Sequence, residues 1–350
     1  MESAVLIDGS YGEGGGQIVR TSIALSAVSG RPVKIFNIRA RRKNPGLQHQ
    51  HLSAIRAIAM ISEGRISGAT LGSTEVFFVP GKLRSGNFRI DVGTAGSVTL
   101  IAQALLPILP FLPGRTKIEI IGGTDVPWSP TSDYFSTVVV GISEAIGLKF
   151  SFEIVKRGYY PKGGGRVIIE IDEPPGEIRP FKLIERGELK EIIILSTAHN
   201  LPRHVAERQA NSAAEMLQSA MREVKLRRVI EDDSKGERPL DPGSSIAIVA
   251  RTEKSFLGSD SLGERGKRAE VVGKEATEKL IEDLSTGKAL DRHMSDMLIP
   301  IAALAGRGSE LGGAKLTEHA ATNVEIVKQL LGVRVEVSGR KGEPFTLKIL

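Results

Sequence analysis

The first segment of this chain that could do chemistry is Gly9-Ser10-Tyr11-Gly12-Glu13-Gly14-Gly15-Gly16-Gln17-Ile18-Val19-Arg20, a glycine-rich loop opening into a helix. Such a loop lets backbone N–H groups approach an anion at the positive end of the helix dipole. It is not a dinucleotide fingerprint, because Gln17 stands where the third glycine of G-x-G-x-x-G would fall, and G-x-x-x-x-G-K-[ST] occurs nowhere. A carboxylate at Glu13 inside a phosphate cradle would repel its ligand unless a divalent cation sat between them, so Glu13 with phosphate implies magnesium or manganese. A solvated loop with a helix-capping Glu is the plainer alternative.

A second segment, Arg39-Ala40-Arg41-Arg42-Lys43-Asn44-Pro45-Gly46, follows a strand and precedes a helix that begins Gln48-His49-Gln50-His51. Its clustered cations would clamp an anion, with Arg suited to bidentate phosphate contact; a solvated run of charge is the alternative. His49 and His51 have no further His or Cys near them in sequence, so no zinc site is expected. A third segment, Lys315-Leu316-Thr317-Glu318-His319-Ala320-Ala321-Thr322-Asn323, opens an apolar helix. If Thr317 or Glu318 caps that helix, His319 lies in its first turn, where the dipole disfavours imidazolium and keeps a ring nitrogen free as a nucleophile. Upstream, Asp291 to Met297 opens another apolar helix, with His293 and Asp296 three apart on one face. Gln103 is the one strongly hydrogen-bonding side chain between Leu100 and Leu106 and must find a partner, in the backbone or in a ligand. Two turn-rich segments, Thr124 to Pro130 with the sole Trp and Tyr159 to Arg166, are left without a role by spacing alone.

The elements that must position these residues recur along the chain. Helices are expected at Gln17–Ser29, Ser97–Phe111, Asp133–Ile146 and His319–Leu331, each followed by an alternating strand: Arg31–Ile38, Arg115–Gly122, Gly147–Ile154 and Gly332–Gly339. Between Leu183 and Ala269 the texture changes to a strand at Glu191–Thr197, a helix at Arg203–Val224, a basic KLRRVI segment, a charged turn at Glu231–Asp241, and strands at Ser245–Arg251 and Ser255–Leu262. The expected fold is therefore α/β (α+β): a body formed by residues 1–183 and 270–350, with a small β-α-β-β-β unit inserted at 184–269.

Composition narrows the function. The chain has 350 residues, no Cys, 41% hydrophobic residues, 5% aromatic residues and a net charge of +6. A packed core is possible, and thiolate nucleophiles, thiolate zinc sites and the usual iron–sulfur ligation are excluded. The surplus of positive charge suits an anionic partner, while so few aromatics argue against a long base-stacking platform. The longest apolar stretch, Val98 to Pro113, is interrupted by Gln103, Pro107 and Pro110 and falls short of the roughly 20 apolar residues of a membrane span. Met1-Glu2-Ser3 offers no basic region of a secretory leader, so the expected location is cytoplasmic.

Taken in order, the segments GEGGGQIVR (Gly12–Arg20), Arg39-Ala40-x-Arg42-x-x-Pro45-Gly46 leading to Gln50-His51-Leu52, Asp91-Val92-Gly93-Thr94-Ala95-Gly96-Ser97, Tyr160-Pro161-x-Gly163-Gly164-Gly165, Gly266-Lys267-Arg268-Ala269-Glu270 and Glu318-His319-x-x-Thr322-Asn323 resemble the RNA 3′-terminal phosphate cyclase family. The resemblance implies a body of βαβαββ repeats similar to those of enolpyruvyl transferases, with a small α/β insert. It also implies ATP-dependent conversion of an RNA 3′-phosphate to a 2′,3′-cyclic phosphodiester through a covalent histidine–AMP, with His319 in the nucleophile's place. By the same resemblance Glu13 holds a divalent metal, and Arg20, Arg39, Arg42 and Gln50 contact phosphate. Gln103 and the run His293, Met294, Ser295, Asp296 and Met297 contact the nucleotide, with Pro130 beside the base. Some family members carry Tyr where His293 stands, which would stack on adenine better than His. Two other readings stand beside this one: a catalytically silent RNA-binding paralogue acting in ribosome biogenesis, and carboxyvinyl transfer by the shared repeat architecture.

Overall fold

The same run of strands and helices occurs three times in the computed structural model, which describes residues 3–221, 223–234 and 236–350. The first unit is β1 (Val5–Asp8), α1 (Gly16–Ser29), β2 (Val33–Phe36), α2 (His49–Ile61), β3 (Arg65–Ser67) and β4 (Val76–Val79). The second is β5 (Gly86–Asp91), α3 (Val98–Leu105), β6 (Thr116–Gly122), a helical run of α4 (Ser132–Tyr134), a π turn (Phe135–Val139) and α5 (Val140–Ala145), then β7 (Ser151–Lys156) and β8 (Gly165–Ile171). The third begins with β9 (Lys182–Leu183) and is interrupted by β10 (Leu189–His199), α6 (His204–Ala220), β11 (Leu226–Asp232), β12 (Gly243–Thr252), β13 (Phe256–Leu262) and α7 (Ala269–Ser285). It resumes with α8 (Arg292–Ala305), β14 (Glu310–Gly313), α9 (Glu318–Leu331), β15 (Val335–Ser338) and β16 (Phe345–Ile349).

Each unit folds into a four-stranded sheet of one topology. The first strand runs parallel to the second, the second antiparallel to the fourth, and the fourth antiparallel to the third. A parallel pair needs a crossover, which α1 and α3 supply in the first two units, whereas in the third the crossover contains the whole interruption as well as α8. Alternation sets which side chains turn inward: Val167, Ile169 and Ile171 of β8 are buried and the residues between them are less so. Each such apolar side chain contributes about 1.5–3 kcal/mol when fully buried.

The expected helix Ser97–Phe111 is shorter than its apolar run. Ser97 caps α3 by accepting the Leu100 N–H at 3.2 Å, and the α-helix ends at Leu105 because Pro107 has no N–H with which to continue the hydrogen-bond ladder; Leu109–Phe111 continues only as a 3₁₀ turn. In the interrupting segment the strands and helix come in the expected β-α-β-β-β order, and the basic KLRRVI segment forms β11. Arg222, in the expected helix, Lys235, in the expected charged turn, and Met1 and Glu2 lie outside the described residues.

The helix α7 was expected to belong with the body, beginning at residue 270, but it packs beside α6 on the sheet of β12 and β13. Its Val272, Ala276, Leu280 and Leu284 complete a second hydrophobic core with Ile192, Ile194, Ile246 and Ile248. The periodicity of α7 is that of any amphipathic helix, and nothing local says which sheet its apolar stripe covers. The opposite face of β12, through Ala247 and Val249, joins the main core.

A buried ion cluster crosses the seam between the second unit and this segment. Arg157 grips Asp133 with two bonds of 2.9 Å, donates to Glu231 of β11 at 3.0 and 2.7 Å, and reaches Asp125 at 3.3 Å. His199 Nε2 lies 3.4 Å from Glu231, and its Nδ1 is 2.9 Å from the Tyr159 hydroxyl. Removing one partner of a buried charge group leaves the others uncompensated and costs about 3–5 kcal/mol. Arg157→Met is therefore expected to lower stability by that amount in urea unfolding, and Arg157→Lys to recover only part of it, because an ammonium cannot reproduce the planar fork.

Candidate active site

The helices of the three units meet so that several of their N-termini face one place. Packed on α2, α3 and α9, α1 begins at Gly16 without a side-chain cap, leaving its first N–H groups free for another acceptor. The preceding loop threads a narrow gap. Gly12 has φ +57°, and a Cβ there would come 2.5 Å from Thr322 Oγ1 of α9, while a side chain at Gly16 would strike the His51 ring. Only glycine lets the loop lie between α2 and α9.

His319 is the second residue of α9. Thr317 caps the helix, accepting the Ala320 N–H at 3.0 Å, and its hydroxyl donates to Asp296 Oδ1 at 2.6 Å. The Asn323 amide donates to the Asp296 carbonyl at 2.7 Å, and Thr21 of α1 donates to Asn323 Oδ1 at 2.9 Å. Gln17 Nε2 donates to the His319 carbonyl at 3.2 Å. These bonds hold the backbone of His319 while its ring stays half-exposed, with Nε2 3.8 Å from Glu13 Oε2. Burial pushes the imidazole pKa below its usual value, and Arg20, His293 and Arg42 act in the same direction against the opposing pull of Glu13. That direction favours the neutral ring, whose free nitrogen lone pair is the form able to attack an electrophile.

Around it the cations are incompletely compensated. The Arg20 guanidinium is pushed down to about 10 by burial and makes no ion pair or side-chain hydrogen bond among the described residues. Arg39, at φ +54°, is lowered by burial and by Arg42; it donates to the Asn44 carbonyl at 3.1 Å, and its buried Nε has no partner. Arg42 pairs with Glu13 at 3.1 Å. The 91–97 loop lies beside Gln50, since a Cβ on Gly96 would sit 3.5 Å from that of Gln50. Concentrated positive charge beside the uncapped start of α1 is an arrangement that suits an anion such as phosphate.

Of the other expected contacts, Gln103 and Met297 line a cleft shared with Gln17, Arg20 and Asn323, and Gln17 Oε1 is buried there without a partner. His293 is exposed at the start of α8, edge-on to Tyr134 with ring centroids 6.5 Å apart. Asp296 is buried, which raises its carboxyl pKa well above the usual range. Met294 and Ser295 are instead fully buried, and the Ser295 hydroxyl donates to the Arg292 carbonyl at 3.2 Å. Pro130 sits over the start of α3, its carbonyl accepting from Thr99 Oγ1 at 2.8 Å. The Gly266–Glu270 segment is tied up in ion pairs of its own, Arg208 with Glu270 at 2.7 Å and Lys267 with Glu275 at 2.5 Å. Gln17 was not marked by its spacing; its role appears only when α1 meets α9, 302 residues away in sequence.

Among the described residues no group of three or more His, Asp and Glu side chains could cage a metal. Glu13 alone, half-exposed at the mouth of the loop, fits a cation of the magnesium type, which commonly takes one or two carboxylates and fills its shell with phosphate oxygens and water. His51 is structural: its Nδ1 accepts the Gln48 N–H at 3.0 Å in a capping box that starts α2.

Burial, Arg20 and Arg39 push the His51 pKa down to about 3, from the 6.5 usual for histidine. Between those values the unfolded chain binds a proton that the folded chain refuses. The contribution of His51 is therefore intact above about pH 6.5 and is lost as pH falls toward 3, by at most about 1.4 kcal/mol per unit. Urea unfolding at pH 7.5, 6 and 5 should show this fall, with a shallower slope in His51→Asn.

A family model described as RNA 3′-terminal phosphate cyclase matches residues 11–337 of the chain. Proteins named RNA 3′-terminal phosphate cyclase are similar over nearly their whole length: one from Hyperthermus butylicus is 52% identical across 99% of this chain and 97% of its own. One from Ignicoccus hospitalis is 50% identical across 98% and 97%, and one from Thermococcus kodakarensis 49% identical across 99% and 98%. With Arg20 and Arg39 lacking carboxylate partners among the described residues, a glycine loop at a helix N-terminus and a half-exposed histidine of lowered pKa, the chain belongs to the RNA 3′-terminal phosphate cyclase family and is an enzyme.

Proposed function

We propose that this chain uses ATP to convert an RNA 3′-terminal phosphate to a 2′,3′-cyclic phosphodiester by way of adenylylated His319. The observation that carries this reading is a half-exposed imidazole of lowered pKa facing Glu13, Arg20 and Arg42, with Arg39 beside Arg42; Arg20 and Arg39 have no carboxylate partner among the described residues. A ring nitrogen of His319 attacks the α-phosphorus of ATP and diphosphate leaves. An oxygen of the RNA 3′-phosphate then displaces His319, forming a mixed anhydride, RNA-(3′)pp(5′)A. The neighbouring 2′-hydroxyl attacks the RNA phosphorus, loses its proton and expels AMP. Activation is needed because a phosphate monoester is a poor electrophile, whereas the anhydride carries a good leaving group.

Arg20, Arg39, Arg42 and Gln50 hold the phosphates, and the N-termini of α1 and α9 add partial positive charge. Gln103, Met297 and Gln17 face the nucleotide from the cleft, His293 and Pro130 stand toward the base, and Asp296 acts by fixing the cap of α9. Met294 and Ser295 take part through the backbone of α8. Magnesium or manganese at Glu13 would supply neutralisation of phosphate charge. We place this chemistry in the cytoplasm; no helix among the described residues is long and apolar enough to cross a membrane.

Incubation with α-labelled ATP and a divalent metal should leave acid-labile label on wild type and none on His319→Ala, whose unfolding midpoint should stay near that of wild type because the lost ring is half-exposed. A non-catalytic RNA-binding paralogue would show no label in either. Since the pKa of His319 is lowered, the labelling rate should be flat from pH 8 down to about 6.5 and fall only in more acid buffers as the ring gains its proton. Arg20→Met should cut kcat/KM for labelling tenfold or more without lowering stability, because it removes a desolvated charge that has no intramolecular partner.

A further inference from the structure

Two exposed aromatic side chains stand on adjacent loops beside the candidate active site. Trp128, the sole Trp, is 96% exposed, and its backbone adopts φ +69°, where a bulky L residue is strained. The strain is not offset by burial of the indole, so folding alone does not account for this placement. Tyr160 is 71% exposed, whereas its neighbour Tyr159 is buried against His199.

The two loops are stitched together, with the N–H of Thr124 donating to the Gly158 carbonyl at 2.8 Å and the Gly158 N–H to Thr124 Oγ1 at 3.0 Å. Both border the 91–97 loop: Cβ atoms on Gly123 and Gly163 would strike the backbone of Ala95. The far side of that loop reaches Gln50. Pro130, two residues from Trp128, is bonded to Thr99 of α3, and Gln103 one turn further along lines the cleft with Arg20. The aromatic pair thus forms part of the rim of the phosphate site. Charge on the surrounding surface favours a polyanion, since Arg41 and Lys43 are exposed and make no ion pair among the described residues.

We propose that Trp128 and Tyr160 are a short stacking rim for the unpaired bases just upstream of the RNA 3′-phosphate. This rests on the proposed reaction for its substrate class and adds how the strand is held. Every base has a π face, so two such side chains grip a single strand with little sequence preference.

Because Trp128 is the only Trp, its fluorescence reports directly on the rim. Titrating the full chain without ATP with a 3′-phosphorylated single-stranded oligonucleotide should give a saturable quench, and an oligonucleotide abasic at its last positions should not. ATP alone should leave the emission unchanged. Trp128→Ala and Tyr160→Ala should each raise the oligonucleotide Kd about tenfold, the worth of one stacked base, with Trp128→Phe nearer wild type. The His319→Ala chain should quench like wild type, which separates this proposal from failure of adenylylation. Quenching by ATP alone would place adenine on Trp128 and overturn the assignment, as would an unquenched signal with the intact oligonucleotide or unchanged Kd values in both alanine variants.

Discussion

Positive charge that the protein does not neutralise internally is the constraint around which the rest of this structure is arranged. Arg157, a buried arginine elsewhere in the chain, is surrounded by Asp133, Asp125 and Glu231, as desolvated guanidinium groups ordinarily are. Arg20 is treated differently: burial weakens its hold on its proton, and no carboxylate among the described residues answers it. The same environment depresses the pKa values of His319, His51 and Arg39. A folded chain tolerates such an arrangement when an anion supplies the missing partner, and the uncapped start of α1 presents backbone donors to that same anion.

The threefold repeat explains how one surface collects these groups. Each βαβαββ unit places helices on its sheet, and α1 of the first unit packs against α3 of the second and α9 of the third. The site therefore draws Arg20 and Gln17 from one unit, Gln103 from another and His319 and Asp296 from the last. The hydrogen-bonded chain from Thr21 through Asn323 and Asp296 to Thr317 ties the first unit to the third and holds the start of the helix that carries the imidazole. The interrupting segment enters between β9 and α8, lengthening the third crossover without disturbing its sheet.

Much of the local order could be read directly from residue spacing. The strands of the second and third units alternate as expected, Thr317 caps the helix that carries His319, and the glycine run marks a loop and helix start that admit no side chain at Gly12 or Gly16. Three features were not readable in this way. The helix α3 stops short of its apolar run because prolines override hydrophobic pattern. The apolar stripe of α7 fits either sheet until the chain is folded. Gln17 looks like an interruption of a glycine motif, and its bond to the His319 carbonyl spans almost the whole chain.

The sequence alone determined the repeated alternation of helix and strand, the absence of thiol chemistry, the basic clusters and the resemblance that singles out His319, because these depend on residue identity and short-range period. Tertiary structure decided which of the many cations lacks a partner, which histidine is a helix cap and which a half-exposed ring of lowered pKa, and which tyrosine of an adjacent pair faces solvent. Those outcomes turn on burial and on neighbours brought in from other units, and the electrostatic free energy of a charged group is set by its three-dimensional surroundings rather than by its position along the chain.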